Sequence, residues 1–332
     1  MTDTFAFLVI TFIIVLGFEA VNGWTDAPNA IATVVSTRVL APAVAVAMAA
    51  FFNLVGALSG TAVATTIGRD IIDLDVVPLE VLAAGALAVV IWSTFAWYFG
   101  LPTSESHGLV AGLAGAAVAV AGTDVLLWDG WRDVFGGVGL AVTGGFLGGI
   151  IVMLTLFWLI RRLGPSAVRR IFSPLQIASA AFMAWAHGTA DGQKSIGVLA
   201  AAIVIYEGKP ADEFEVPIWI ILLAATVMGV STALGGWRII RTLGMRLTHL
   251  EPVHGFAAEA TAAATLAATS RLGIPLSTTH TIGSAIMGVG ASKRLSAVRW
   301  GVGYNIVGAW ILTFPICFGL GWLIASIIHL AA

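Results

Sequence analysis

Residues 100–107 read GLPTSESH, and residues 273–280 read GIPLSTTH. Both octapeptides place a glycine and a proline one residue apart, continue with hydroxyl-bearing residues and end on a histidine. A second related pair lies upstream, with NGWTDAPNA at 22–30 and HGTADGQK at 187–194, and each of these blocks carries one aspartate in apolar surroundings. The chain is therefore interpreted as a duplication with paired polar breaks, a pattern typical of secondary transporters.

Composition predicts an all-α polytopic membrane protein. Of the residues, 59% are hydrophobic and 10% are charged, whereas soluble domains carry roughly a quarter charged residues. The uncharged stretches long enough for the about 20 residues of a membrane-spanning helix are 39–68, 81–104, 135–160, 216–237 and 300–328. Residues 5–18 are predicted as a retained first helix, because no basic segment precedes them as in a signal peptide. The net charge of −2 gives no support for nucleic-acid binding.

The charged loops predict how the two halves are oriented. Four arginines within 161–170 indicate a cytoplasmic connector, and the acidic stretch 207–215 is then outside. After the two Gly-x-Pro blocks the charge changes from acidic at 124–133 to basic at 293–299, as expected for inverted repeats. We predict a first repeat 1–160 with broken segment 22–30 and hairpin 100–121, a connector 161–173, and a second repeat 174–332 with broken segment 187–195 and hairpin 273–291. Counting hairpin halves, this gives roughly ten to twelve helical passes.

The Gly-x-Pro breaks predict an anion site. Prolines interrupt two apolar helices, and the serines that follow are placed to cap the restarting helices. A helix N-terminus inside a membrane offers free backbone N–H groups and a favourable dipole to an anion. The predicted ring of ligands is Ser104, Ser106, Ser277, Thr278 and Thr279. Capping alone would explain one such serine, but two matched copies at membrane depth favour a binding cavity.

The aspartate blocks predict a cation or proton site. Asp26 and Asp191 lie near the middle of apolar segments, where an ionisable residue is costly and by default functional. They are predicted to bind a small cation or to hold a proton. A salt bridge between Asp191 and Lys194 is the structural alternative, and it stays open here.

Four further ionisable residues lie in apolar sequence. His107 and His280 are interpreted as hydrogen-bonding rather than metal-binding, because no second ligand lies three or four residues beyond either. Glu19 and Glu259 are left open between proton carriers and groups paired to a neighbouring helix.

At these residues the chain resembles the inorganic phosphate transporter family known as PiT, whose pattern is a Gly-Ala-Asn-Asp-Val-Ala-Asn-Ala-like block and a Pro-x-Ser-Thr-Thr-His-like hairpin in each half. The matching positions are Gly23, Asp26, Asn29 and Ala30 in the first block, Gly188 and Asp191 in the second, and Pro275, Ser277, Thr278, Thr279 and His280 in the second hairpin. The resemblance implies phosphate transport with sodium or protons, by an elevator-like or rocking exchange of two halves. It also implies a homodimer and no cofactor.

The resemblance further implies roles for individual residues. The hydroxyl residues of the predicted ring become the phosphate ligands, with Glu105 beside them. The residues assigned to the coupling ion or proton are Asp26, Asn29, Asp191, Gln193 and Lys194.

Three departures from the family pattern refine this expectation. Lys194 stands where sodium-coupled members carry an asparagine, and its fixed charge disfavours sodium in that half. Gln193 and Lys194 resemble the bacterial branch that imports phosphate with protons, often as a neutral divalent-metal phosphate complex. The asparagine before each aspartate is replaced by Thr25 and Ala190.

Glu105 departs from the family pattern by adding a negative charge, because a carboxylate replaces a hydroxyl beside the anion and would repel it. It is hypothesised to be protonated when substrate binds, to pair with Lys194, or to share a metal such as magnesium with phosphate.

The leading hypothesis is a proton-coupled phosphate importer in the inner membrane of a bacterial cell. Its predicted partners are phosphate, protons and the lipid bilayer, with sodium or magnesium as alternative coupling ions. Sulfate import and an ion channel with paired re-entrant hairpins remain alternatives. An intramembrane serine enzyme is disfavoured, because no third group stands at a fixed spacing to orient a Ser–His pair.

Overall fold

The computed structural model describes residues 4–234 and 236–331, so the outermost predicted limits, residues 1 and 332, lie outside it. The described chain is almost entirely helical, which confirms the predicted all-α class. Its helices are α1 (Phe5–Ser36), α2 (Pro42–Ala57), α3 (Ala62–Arg69), α4 (Leu79–Tyr98), α5 (Glu105–Ala121), α6 (Trp128–Ile160), α7 (Pro165–Glu207), α8 (Ile218–Thr232), α9 (Trp237–Ile240, continued by the π-helical turn Arg241–Arg246), α10 (Pro252–Arg271), α11 (Thr278–Lys293) and α12 (Trp300–Ala331).

The order of helices in the first half recurs in the second. Each half has a long first helix, a bent pair, a helical hairpin and a long apolar last helix. The bent pairs are α2–α3, with an angle of 72°, and α8–α9, with an angle of 62°. By length and composition α1, α4, α6 and α12 are each able to cross a membrane, and six spans result if each bent pair counts as one.

The two halves are packed into each other. Hairpin helix α5 packs against α12 from the other half, and α11 packs against α6. In the same way, α2 and α3 pack on α7, whereas α8 and α9 pack on α1. Each half therefore completes the helix packing of the other.

The long helices α1 and α7 pass through two separate apolar cores. In α1, Val15 and Phe18 belong to one core, and Ile31 and Val34 belong to the other. The same holds for α7, whose residues 180–190 and 196–204 contribute to different cores. The aspartate blocks occupy the interval between, so the fold places a buried polar layer between two apolar regions.

The predicted breaks at 22–30 and 187–195 are wrong. Both segments are continuous helix within α1 and α7, and α1 continues through Pro28. Their glycines serve close packing instead: a Cβ on Gly188 would lie 2.2 Å from the carbonyl oxygen of Asn53 in α2, and one on Gly23 would lie 3.1 Å from that of Met228 in α8. The helices break instead between α2 and α3 and between α8 and α9, inside the stretches 39–68 and 216–237 predicted as membrane spans.

The predicted connector 161–173 is also shorter than expected. Helix α7 begins at Pro165, which stands in its first turn, so only residues 161–164 link the halves.

The hairpin turns form as the sequence predicts. Gly100 and Gly273 adopt φ values of 69° and 73°, which non-glycine residues rarely adopt. Ser104 then caps α5 by accepting a hydrogen bond from the His107 backbone N–H, and Ser277 caps α11 in the same way, both at 3.2 Å. We call residues 99–106 the first tip and residues 272–279 the second tip.

Loops of like charge meet at opposite ends of the molecule. At the acidic end, Asp75 accepts a hydrogen bond from the backbone N–H of Ala211 at 2.9 Å. At the basic end, the backbone N–H of Arg299 donates to the carbonyl of Leu247 at 2.9 Å. Helix α4 begins at the acidic end and α10 at the basic end, so the two tips enter the polar layer from opposite directions.

Candidate functional site

The two tips meet the middle of α1 and α7 in the buried polar layer. The predicted site residues lying there, all almost fully buried, are Asp26, Asn29, Ser104, Glu105, Ser106, Asp191, Lys194, Ser277, Thr278 and Thr279. The first turns of α5 and α11 supply the hydroxyl groups, and one turn each of α1 and α7 supplies the aspartates. The structure thus brings together residues from four helices that are distant in sequence.

Asp26 is surrounded by neutral donors. The hydroxyl of Thr279 donates to its Oδ1 at 2.8 Å, and Asn29 Nδ2 donates to the same oxygen at 2.9 Å. Asn29 Nδ2 also lies 2.9 Å from the Thr279 hydroxyl oxygen. These hydrogen bonds connect α1 to the second tip, and none of the three side chains that form them is basic.

Asp191 is held by cationic and polar groups. It forms a buried salt bridge with Lys194 one turn along α7, the alternative that the sequence left open. Thr278 of the second tip donates to Oδ2 at 2.8 Å, and His187 Nε2 lies 3.2 Å from the same oxygen. His187 Nδ1 in turn lies 3.0 Å from Asn53 Oδ1, so α2 supports the imidazole.

Lys194 also connects α7 to the first tip. Its ammonium group donates to the hydroxyl oxygen of Ser106. Ser106 itself donates to the backbone carbonyl of Leu276 at 3.2 Å, which joins the first tip to the second. A single ammonium group therefore reaches an aspartate and a predicted phosphate ligand together.

Glu105 faces Asp26 and not Lys194. Thr25 donates to its Oε1 at 2.7 Å, and no N–H or O–H group of the described residues donates to its Oε2. The described residues form no salt bridge between Glu105 and Lys194, whose ammonium contacts Asp191 and Ser106 instead, so the predicted pairing is wrong in this conformation. Three carboxyl groups and one ammonium meet here, so the fully ionised layer carries excess negative charge. Protons or cations must offset that excess before an anion enters.

Gln193 lies on the other face of α7. Its Oε1 accepts hydrogen bonds from the backbone N–H groups of Val63 at 2.8 Å and Ala64 at 3.3 Å, and so caps α3. The structure does not bring this predicted coupling residue into the aspartate cluster.

The sequence reasoning gave His187 no role, yet this residue belongs to the site. One ligand atom each from Asp26, His187 and Asp191 lies within 4.8 Å of the others, a set able to hold a divalent cation. The i, i+4 spacing of His187 and Asp191 on one helix was the available signal.

The two histidines that directly follow the tips contact each other. The rings of His107 and His280 form an edge-to-face pair with centroids 4.6 Å apart. His280 Nδ1 lies 2.6 Å from the Ser277 hydroxyl, which agrees with the predicted hydrogen-bonding role. The same prediction is wrong for His107, because the described residues offer no hydrogen-bond partner to either of its ring nitrogens.

The two buried glutamates outside the tips are paired with neutral groups. Glu259 accepts hydrogen bonds from the hydroxyls of Thr33 and Ser179 on α1 and α7. Glu19 accepts from Asn22 Nδ2 at 3.4 Å. The described residues place no salt-bridge partner beside either carboxyl group.

Equivalent hydrogen bonds fix the two tips to the bent pairs. Thr66 of α3 donates to the carbonyl of Gly273 at 2.8 Å, and Thr242 in the π-helical turn donates to that of Gly100, also at 2.8 Å. Each tip is therefore attached to a bent pair at its conformationally special glycine.

Known proteins share the sequence pattern and the fold of this chain. Residues 22–321 match the model of the phosphate transporter family. A probable low-affinity inorganic phosphate transporter of Rhizobium meliloti (strain 1021) is 42% identical over 95% of this chain and 94% of its own length. A protein of the same description from Bacillus subtilis (strain 168) is 37% identical over 95% and 96%, respectively.

A solved structure described as the sodium-dependent phosphate transporter superposes over 100% of both chains, with a TM-score of 0.88 and 24% identity. That likeness concerns the fold. The family match and the bacterial relatives extend over nearly the whole sequence, and this chain belongs to the phosphate transporter family.

Proposed function

We propose that this protein imports inorganic phosphate, free or as a divalent-metal phosphate complex, in symport with protons. The observation that carries the proposal is the Lys194 ammonium group between Asp191 and Ser106. It places a positive charge beside a predicted phosphate ligand, at the aspartate for which the second half would otherwise need a cation from solution.

Phosphate fits the donors and acceptors of the site. Ser106, Thr278 and Thr279 supply hydroxyl groups, and the N-termini of α5 and α11 supply a favourable dipole. A protonated phosphate oxygen is a donor, which sulfate lacks at neutral pH. Asp26, which accepts from Thr279, and Glu105, which accepts from Thr25, are acceptors in the same polar layer. This polarity favours phosphate over sulfate.

Protons are the coupling ions that the charges favour. A sodium ion at Asp191 would meet the ammonium of Lys194, and like charges at contact distance repel strongly when buried. Asp26 and Glu105 carry no salt bridge to a described residue, so protonating one of them lowers the negative charge that opposes phosphate.

A divalent cation accompanying phosphate would be received by Asp26 and Glu105, because neither carries a salt bridge to a described residue, whereas Lys194 would repel the ion at Asp191. Magnesium prefers oxygen ligands and keeps several waters, so two carboxylates and phosphate oxygens suit it. A metal phosphate complex is also neutral, which lowers the cost of placing it in a buried layer.

Alternating access between two inverted repeats is the proposed mechanism. Its support is the recurring helix order and the opposite directions from which the tips enter the polar layer. Opening towards the acidic end would release the second tip from Thr66, and opening towards the basic end would release the first tip from Thr242. We place the protein in a bacterial inner membrane with its basic end in the cytoplasm, as a homodimer.

The test is uptake of labelled phosphate and of labelled sulfate by proteoliposomes, with proton, sodium and magnesium gradients imposed one at a time. We expect saturable phosphate uptake that an inward proton gradient drives and a sodium gradient leaves unchanged. Preferential sulfate uptake would overturn the substrate, and sodium-driven uptake would overturn the coupling. Non-saturating anion currents without a coupling ion would indicate a channel.

A further inference from the structure

A partly open cavity with both polar and apolar walls lies beside the second tip, outside the aspartate cluster. It measures about 300 Å³, room for a tetrahedral oxyanion with several waters. It is lined by the α2–α3 turn, the end of α10 and one face of α7, with Arg271 as its charged residue. The other lining residues with polar side-chain atoms are Ser59, Thr61, Trp185, Thr189, Gln193 and Ser270, and the Trp185 indole N–H already donates to the Ser59 hydroxyl.

The cavity exists because the two halves differ at equivalent positions. Tyr98 stands two residues before Gly100, and Arg271 stands two before Gly273. On the first tip, Arg238 lies over the Tyr98 ring at 4.6 Å and donates to its backbone carbonyl, which fills the space. Arg238 and Ala62 occupy equivalent positions, because each stands four residues before the threonine that binds a tip, Thr242 and Thr66 respectively. The space beside the second tip therefore faces the methyl group of Ala62, where the first tip faces the guanidinium of Arg238.

The guanidinium of Arg271 is consequently available to a ligand. No carboxylate of the described residues forms a salt bridge with it, and no acidic residue lines the cavity. Arginine presents several N–H donors in a plane and pairs well with phosphate oxygens.

A buried amide supplies a second donor. Gln193 is 2% exposed, and its Oε1 is occupied by the N-terminus of α3. This leaves the Nε2 amide hydrogens, for which the described residues offer no acceptor, near the cavity wall at Gly60. Gln193 lines the cavity, and the next residue of α7, Lys194, belongs to the aspartate cluster, which we call the inner site.

We infer that this cavity is an outer oxyanion site, in which Arg271 and Gln193 hold phosphate before the second tip opens and passes it to Lys194 and the tip hydroxyls. The inference rests on the proposed phosphate transport and adds a binding step to it. Its ligand chemistry is a phosphoryl group, and free phosphate is the occupant to which we commit. Exposed Leu58 and Leu272 flank the cavity, so an anionic lipid headgroup is the competing source of that chemistry.

The experiment compares Arg271→Gln with Arg271→Lys, and with Arg294→Gln as a matched loss of an exposed arginine at the basic end. Phosphate uptake into proteoliposomes gives KM and the maximal rate separately. We expect Arg271→Gln to raise KM about tenfold, as loss of one charged hydrogen bond would, with little change in the maximal rate. Arg271→Lys should retain most of the affinity, and Arg294→Gln should behave as the wild type.

Direct binding provides the second readout. In detergent without added lipid, a Thr278→Ala/Thr279→Ala variant should retain weak binding of labelled phosphate, and adding Arg271→Gln should remove it. Equal KM values for Arg271→Gln and Arg294→Gln would overturn the outer site. If Arg271→Gln removed phosphatidylglycerol binding and left phosphate binding unchanged, the outer phosphate site would also be overturned, and the cavity would be a lipid site. If the wild type takes up no phosphate, the proposed function fails instead.

Discussion

Asp26 and Asp191 occupy equivalent blocks of a duplicated chain, yet their surroundings differ in charge. Asp26 accepts hydrogen bonds from Asn29 and Thr279, both neutral. Asp191 is bound by the ammonium of Lys194, with His187 beside it. One half thus keeps a carboxylate that a mobile cation or proton could neutralise, and the other half has a covalently attached cation.

The difference teaches how a duplicated site becomes asymmetric. A lysine three residues after the aspartate on the same helix can neutralise it without an ion from solution, since its ammonium is in contact with the carboxylate. Because the amine is part of the chain, we propose that this half attracts phosphate without consuming an ion gradient. The exchangeable charge is then left to Asp26 and Glu105. The following predictions test this division, from the largest expected effect to the smallest.

Removing the partner of the attached cation should be most damaging. Asp191→Asn leaves Lys194 buried without a counterion, and breaking a buried pair costs about 3–5 kcal/mol. We expect loss of phosphate uptake by two orders of magnitude or more and a lower unfolding temperature. Thermal unfolding in detergent and uptake in proteoliposomes check this. Lys209→Gln, which breaks an exposed pair with Glu207, should change neither measurement appreciably.

Asp26→Asn should affect coupling more than folding. The amide keeps one acceptor oxygen for Asn29 and Thr279, so the hydrogen-bonded layer survives. Proton-driven accumulation should fall about tenfold or more, while phosphate exchange without a gradient should persist, because exchange needs no net coupling-ion movement. Equal loss of both activities would show that Asp26 acts only as a structural ligand.

Glu105→Gln should change the pH profile of phosphate uptake. The amide retains an acceptor for Thr25 but has no charge to repel phosphate, so uptake should decline less towards high pH than in the wild type. KM measured from acidic to alkaline pH checks the shape of the profile, and its magnesium dependence checks the metal hypothesis. If Glu105→Gln left both the pH dependence and the magnesium dependence of KM unchanged, Glu105 would have no part in coupling.

The hydrogen bonds at the tips should give the smallest effects. Thr66→Val and Thr242→Val each remove a bond to a glycine carbonyl, worth about 1 kcal/mol. The two variants should shift the populations of open states in opposite directions by about fivefold. Cysteine accessibility at each end of the molecule, measured in a background with Cys317→Ala, reports the shift. A shift in the same direction for both would contradict opposed gates.

Local chemistry explains what the sequence predicted correctly. The Gly-x-Pro turns and the serine caps depend on neighbouring residues, and both form. The Asp191–Lys194 pair was also foreseeable, because residues three apart share a helix face.

Contacts between distant segments explain what the sequence did not predict. A glycine in a membrane helix permits either a break or close packing, and only the approach of α2 to Gly188 decides for packing. Likewise, the orientation of Glu105 towards Thr25 depends on how α1 meets the first tip. Spacing within one segment contains no information about that meeting.

The most direct measurement of the central claim is sodium dependence of phosphate uptake in proteoliposomes containing wild-type protein or Lys194→Asn. Asparagine replaces the attached charge by an oxygen ligand beside Asp191, which gives sodium a site. We predict wild-type uptake that is indifferent to sodium and driven by protons, and variant uptake that requires or is strongly stimulated by sodium. Sodium-stimulated uptake by the wild type, or sodium-indifferent uptake at the wild-type rate by the variant, would contradict the role assigned to Lys194.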